Sequence, residues 1–321
     1  MTRLLIAVIT GGRPRLADRP TRNLFKSLRT LGDIEYVVRE DQAAGYEDDP
    51  GVPLNVYPVS WADRYARTHW RHPRAVFEPG GFHGAFTGRE WVMQDAERRG
   101  YDLVLQLDDN ITAFGPVDAL RTSHYRDILQ PVDSVRVVVE IAMSTNLWMF
   151  GAQLTAVQRP ESAPIARTGF PYSVFVEKTG EGRMPYYGPF EDDIMHALEY
   201  GLSGGAGRTA GLTPAINYFK ENSSKTGMRK HYNPERGLEL VRRYPNNARL
   251  IEGPTSSSPT SKGRGVRHLL NTKGFTSIRI EDEARFALAR ADLEHLVKIA
   301  RERLDLEARK KIAKRAGRTV S

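Results

Sequence analysis

Residues 88–110, GREWVMQDAERRGYDLVLQLDDN, constrain the fold more than any other stretch. The first thirteen have helical composition and end at Gly100, and an apolar strand follows directly. That strand, with four apolar residues among the five of LVLQL, stops abruptly on Asp108, Asp109 and Asn110. A run that apolar is buried on both faces, as strands of a parallel sheet covered by helices are. The N-terminal segment repeats the pattern. RLLIAVIT (3–10) reads as a strand, PTRNLFKSLRTLG (20–32) as a helix with Pro near its start and Gly32 at its end, and DIEYVVRE (33–40) as a second strand. Leu24, Leu28 and Leu31 share one face of that helix. The alternation argues for an α/β sheet, largely parallel, with helices on its faces.

Further along, SVRVVVEIAMS (134–144) and PYSVFVEK (171–178) read as two more strands, and FEDDIMHALEYG (190–201) as a helix closed by Gly201. Residues 202–232 are rich in Gly, Ser and Lys and read as a mobile segment, long enough for a lid. GPTSSSPTSKGRGVRH (253–268) reads as a flexible basic loop. Residues 289–315 carry a helical apolar stripe of Leu293, Leu296, Ala300 and Leu304, and their last turns are basic. The expected division is a catalytic domain over 1–233, then a basic loop and C-terminal helical extension over 234–321.

Cysteine is absent, which excludes disulfides, thiolate metal sites and cysteine catalysis and fits a reducing, cytoplasmic setting. No apolar run approaches the ~20 residues of a membrane span, and LLIAVITGG is too short for a signal peptide, so a soluble protein is expected. The net charge is +8, and residues 301–321 hold eight Lys/Arg against three Asp/Glu. Such a balance favours polyanionic partners, although arginine enrichment throughout the chain accounts for it equally well.

In open α/β sheets, ligands bind beyond the carboxyl ends of the strands. Asp108, Asp109 and Asn110 stand there. Asp108 and Asn110, spaced so that both oxygens can face one cation, suit Mg²⁺ or Mn²⁺ with a substrate diphosphate. Read as structure alone, Asp-Asp-Asn is a strand-ending turn. Glu191, Asp192 and Asp193 open a helix; its dipole explains them, and so does a general base for an acceptor hydroxyl. In ITGGRPR (9–15), which includes Thr10, the glycines, Gly11 among them, permit close backbone approach and Arg13 and Arg15 can clamp a diphosphate, unless this is an ordinary loop with exposed arginines. His231 arrives late, in RKHY, placed to complete a metal shell or simply to be a satisfied polar residue. No Walker loop, G-x-S-x-G elbow or H-E-x-x-H is present, and the glycine-rich SGGAGRTAG follows a helix, contrary to a dinucleotide fingerprint.

The strand, Gly/Arg loop, helix and strand, then GRE…GYDLVLQLDDN and the downstream FEDD, together resemble a GT-A-type glycosyltransferase over about residues 3–232. The wording is most similar to the TET-associated glycosyltransferases, a largely phage family inferred to put sugars on hydroxymethylated DNA bases. The resemblance implies a GT-A-like (Rossmann-like) mixed sheet, a nucleotide-sugar donor of the UDP-sugar class and a divalent cation, Mn²⁺ or Mg²⁺. Asp108 and Asn110, joined by His231, would hold the metal, and Asp109 would lie beside the donor ribose. Thr10, Gly11, Arg13, Arg15 and Arg89 would lie near the donor. Asp192, or its neighbours Asp193 and Glu191, would supply the base. Asn110 departs from the second aspartate of the family pattern, which lowers the charge offered to a metal. DNA phosphates would be met by Lys225, Arg229, Lys230, Lys262, Arg264 and Arg267, contacts that add salt-dependent, sequence-independent affinity. Two alternatives stand beside this one. The first is a nucleotide-sugar enzyme with a glycan or small-molecule acceptor, sugar-phosphate nucleotidyltransferases included. The second is a non-enzymatic nucleic-acid-binding protein whose acidic clusters are turns and caps.

Overall fold

The computed structural model describes residues 2–72, 75–116, 131–154, 165–204, 207–221, 237–254 and 264–315. Its centre is a mixed sheet in the order β3-β2-β1-β4-β8-β6-β9-β5, with a short β7 beside β9. These strands are β1 (Leu4–Ile9), β2 (Asp33–Arg39), β3 (Leu54–Tyr57), β4 (Leu103–Asp108), β5 (Ile111–Pro116), β6 (Leu147–Leu154), β7 (Arg167–Thr168), β8 (Val174–Lys178) and β9 (Thr209–Lys220). The half built from β1 to β4 is parallel, and β1 and β4 run in step so that Ile9 lies opposite Asp108. From β8 onward the directions are mixed: β8 is antiparallel to both β4 and β6, β9 is parallel to β6, and β5 is antiparallel to β9.

The helices are α1 (Phe25–Leu28), α2 (Glu40–Ala43), α3 (Val59–His69), α4 (Phe86–Arg98), α5 (Pro131–Met143), α6 (Asp192–Gly201), α7 (Leu238–Arg243) and α8 (Glu283–Arg315). Two faces of the sheet explain why the strands are apolar throughout. Leu4, Ile6 and Val8 of β1 join Leu103, Leu105 and Leu107 of β4 in one core with α5 and α8. Leu5, Ala7, Ile9 and Val104 join a second core under α3 and α4. This is the mixed α/β sheet flanked by helices that the sequence leads one to expect, and α8 supplies the C-terminal helix. Ala289, Leu293, Leu296 and Ala300 of α8 are buried in the first core, whereas Leu304 is only half-buried. Among the described residues no helix is long and apolar enough to cross a membrane.

Three expectations are corrected. Residues 134–144 are not a strand: all but Ser144 lie in α5, where Val135, Val137, Val138, Val139, Ile141 and Ala142 are buried. A helix pressed between a sheet and another helix is apolar on most of its circumference, so its β-branched run imitates a buried strand. The glycine-rich 202–232 segment is in good part a strand, because β9 occupies Thr209–Lys220 in the sheet. Gly211 is there for lack of room: a Cβ would sit 2.5 Å from the Arg167 carbonyl oxygen. Pro214 is accommodated where the β6–β9 register shifts. The ends of the supposed loop 253–268 belong to an antiparallel pair, β10 (Ala248–Pro254) and β11 (Arg264–Leu270).

Candidate active site

The site forms where β4 ends. After Asp108 the chain turns away and crosses to the far edge of the sheet as β5, leaving a crevice at the β1 and β4 tips. Backbone ties fix this turn. Thr21 donates its hydroxyl to the Asp108 carbonyl at 2.7 Å and accepts the Ile111 N–H at 2.8 Å. The Asp108 N–H donates to the Ser173 carbonyl, and the Glu221 N–H to the Asn110 carbonyl, both at 2.9 Å.

The three side chains of the turn point to three partners. Asp109 is buried against the β1 loop, where it accepts from the Thr10 hydroxyl at 2.7 Å and faces Arg13 Nε at 3.3 Å. Burial pushes its carboxyl up to about 6, and the Thr10 bond and the Arg13 charge restrain that rise. Asp108 is paired with Arg89, whose Nη2 lies 2.9 Å from Oδ1. Asn110 donates through Nδ2 to the Glu221 carbonyl at 2.7 Å, and its buried Oδ1 has no hydrogen-bond partner.

Arg89 joins the two acidic clusters. It is 2% exposed and lies on the first turn of α4. Besides Asp108, its Nε donates to Asp192 Oδ2 at 2.8 Å and its Nη1 to Gln106 Oε1 at 3.1 Å. Burial works to lower its pKa, but the charges of Asp192 and Asp108 prevail and raise it. Asp192 and Asp193 open α6, preceded by Glu191, a non-glycine residue in the left-handed region at φ 53°. Burial raises the Asp192 carboxyl, against the pull of Arg89, and its side chain keeps 14% exposure, so solvent tempers that rise. Burial, then the neighbouring Asp192 charge, lifts Asp193 to about 7. The carboxylate that is ion-paired and the carboxylate that is held near neutrality are therefore adjacent residues with different chemical capacities.

The expected donor residues divide. Thr10, Gly11, Arg13, Asp108 and Asp109 gather at the strand tips, and the Gly12 N–H is fixed by Gln42 Oε1 at 3.1 Å. Arg89 is near them but is committed to carboxylates rather than presented to a ligand. Arg15 turns outward and pairs with Asp18 at 2.8 Å, its side chain 70% exposed. Lys225, Arg229, Lys230, His231 and Lys262 lie outside the described residues, as do the side chains of Arg264 and Arg267 on β11.

Among the described residues no three carboxylates or imidazoles stand close enough to form a metal shell alone. The donor set is nevertheless hard oxygen: the Asp108 carboxylate, 28% exposed, and the partnerless Oδ1 of Asn110. A small divalent cation that retains waters and substrate phosphates needs no more than one or two protein ligands.

Four residues at or beneath the site were not singled out from the sequence. Gln106 interrupts an apolar strand, Glu177 sits in VFVEK with no exposure, Ser173 precedes β8, and Lys220 closes β9. The first two carried a signal, since each is a polar side chain inside an apolar run.

The sequence matches no protein-family model and no curated protein sequence. Among solved structures, the chain is similar to a glucosyl-3-phosphoglycerate synthase from Mycobacterium tuberculosis, solved in complex with Mn²⁺, uridine diphosphate and phosphoglyceric acid. That likeness covers 88% of this chain and 91% of the other, with 9% identity and a TM-score of 0.44. A second, described as a mycobacterial protein, is similar over 84% of each chain, with 9% identity and a TM-score of 0.43.

Proposed function

We propose that the chain is a glycosyltransferase that moves a sugar from a nucleotide-sugar, a UDP-sugar in the first instance, to a hydroxymethylated base in DNA. The observation that carries the transferase reading is Arg89, which ties Asp108 at the donor end of the crevice to Asp192 at the head of α6. Two acidic clusters 84 residues apart in sequence thereby form one site. The DNA acceptor is supported by the sequence resemblance and by the basic balance of the chain, including the exposed Arg301 and Arg303 of α8.

In this reading the β1 loop and Asp109 receive the nucleoside side of the donor. Asp108 and Asn110 Oδ1 would hold a divalent cation, which supplies Lewis-acid neutralisation of the departing diphosphate. Asp193 takes the acceptor proton. Its neighbour Asp192 is already neutralised by Arg89 and is the poorer base, whereas a carboxylate near pH 7 is matched to proton abstraction under neutral conditions. The sugar C1–O bond to the diphosphate breaks, the acceptor oxygen bonds to C1, and the nucleoside diphosphate departs with the electron pair.

The test is intact-mass analysis of short duplexes bearing 5-hydroxymethylcytosine, 5-hydroxymethyluracil or unmodified bases, each incubated with the protein, Mn²⁺ and a panel of nucleotide-sugars. A sugar-sized gain on a hydroxymethylated duplex alone is expected. Release of nucleoside diphosphate with no gain on any duplex would remove the DNA acceptor and keep the donor site. Absence of both signals would overturn the transferase reading.

A further inference from the structure

The β4 tip carries a second cation besides Arg89. Lys220, the last residue of β9, has its Nζ 3.9 Å from Asp108 Oδ2 and donates to Ser173 Oγ at 2.9 Å. Ser173 is 2% exposed and holds φ at 56°, the left-handed region that a residue with a Cβ seldom adopts. Its carbonyl also accepts the Asp108 N–H. One conformationally costly residue therefore fixes both the strand end and the ammonium. Glu191 and Ser173 are the non-glycine residues with positive φ among those described, and both flank this crevice. Strain of this kind concentrates at functional sites.

Arg89 meets Asp108 at hydrogen-bond distance and is shared with Asp192, while the Lys220 ammonium stands off Asp108 at 3.9 Å and donates its direct hydrogen bond to Ser173. An ammonium has three donors. The Lys220 and Asp108 side chains are each 28% exposed, so this cation stands at the mouth of the crevice. Nor was it visible as a site residue in the sequence, where it fell in a segment read as a lid.

We propose, on the strength of the donor-site reading above, that Lys220 is a catalytic residue: its ammonium contacts the donor diphosphate and takes up part of the charge on the leaving nucleoside diphosphate. Lys220 keeps its protons throughout. The electron pair of the breaking C1–O bond goes to the phosphate oxygen, which accepts a hydrogen bond from Nζ, and the acceptor proton goes to Asp193. A preorganised cation aimed at developing charge stabilises the transition state more than the ground state.

The experiment uses the full chain and measures binding of uridine, thymidine, cytidine, guanosine and adenosine diphosphates with Mn²⁺ by calorimetry. The tightest binder is then compared with its own nucleoside, followed by ligand-observed NMR. Lys220→Met should weaken the diphosphate about 10- to 100-fold, the range of a charge-assisted hydrogen bond, and leave the nucleoside within about twofold. Lys220→Arg should restore most of the loss. Two results would overturn the assignment: unchanged diphosphate affinity in Lys220→Met, or equal loss for nucleoside and diphosphate. A wild-type chain that binds no diphosphate of the panel would instead overturn the donor site, and this proposal with it.

Discussion

Replacing Arg89 with Met tests whether the site is organised around one buried cation. The guanidinium is 2% exposed and makes three hydrogen bonds, to Asp192, Asp108 and Gln106, at 2.8, 2.9 and 3.1 Å. Methionine fills much of the volume but removes the donor that Asp192, Asp108 and the Gln106 amide oxygen each take from Arg89. Removing one partner of a buried pair costs about 3–5 kcal/mol. Asp108 is 28% exposed and has Lys220 at 3.9 Å, so water and that lysine offset part of the cost. We take about 3 kcal/mol, which at roughly 2–4 °C per kcal/mol lowers Tm by about 6–12 °C. The penalty has a pH signature. Without Arg89, the Asp192 carboxyl loses the charge that restrains its rise above the ordinary range, so the folded variant binds a proton more tightly than the unfolded chain. Its stability then falls as pH rises. Scanning calorimetry at pH 5 and pH 8 should show a deficit that is larger at pH 8, and Asp192→Asn added to Arg89→Met should recover part of it. A variant that melts within about 2 °C of wild type at pH 8, or shows one deficit at both pH values, would refute the reasoning.

Asp193, lifted to about 7 by burial and by Asp192, weakens the fold when it ionises. Its raised folded pKa means that stability falls between the ordinary carboxylate range and about pH 7. Asp193→Asn should therefore melt above wild type at pH 8, match it near pH 3, and lose sugar transfer; a variant less stable at pH 8 would contradict the sign. Leu293, 2% exposed where α8 meets the sheet core, should cost about 2–5 kcal/mol on change to Ala, measured by urea unfolding. Loss of less than about 1 kcal/mol there would mean that α8 does not share the core.

What was legible in the sequence is what depends on local pattern. Apolar runs at 3–10 and 101–110 became β1 and β4 because a strand buried on both faces has no other composition available. Acidic residues after such a strand marked the crevice for the same reason. Tertiary context decided the rest. The α5 run looks like a strand because its helix is covered on opposite sides, and β9 looks like a loop because Gly211 and Pro214 answer to close packing and a register shift. Lys220 was hidden with it. Arg15 and Arg89 show the limit for charged residues: nothing in ITGGRPR or GREWVM distinguishes an arginine paired outward with Asp18 from one buried between two aspartates.

The orientation of Arg89 follows from a group farther inside. Glu177, on β8, is fully buried and accepts from His196 Nε2 at 2.6 Å, Tyr200 at 2.9 Å, Tyr186 at 2.5 Å and Gln106 Nε2 at 3.0 Å. Burial would raise its carboxyl, but His196, Arg183 and Tyr186 outweigh that and hold it below the ordinary range, so it stays an acceptor. An acceptor on that side leaves Gln106 one useful orientation: amide nitrogen toward Glu177, carbonyl toward Arg89. With Nη1 thus engaged, the planar guanidinium has its Nε and Nη2 donors aimed at Asp192 and Asp108. His196 and Tyr200 stand on α6, one and two turns beyond Asp192, so the same carboxylate that sets Gln106 also anchors the helix bearing Asp192 and Asp193. A single buried acceptor therefore fixes both sides of the crevice, the β4 tip through Gln106 and Arg89 and the α6 terminus through His196. Rigid support beneath a polar site keeps its dipoles from reorganising when charge moves, which is the condition under which such groups accelerate group transfer.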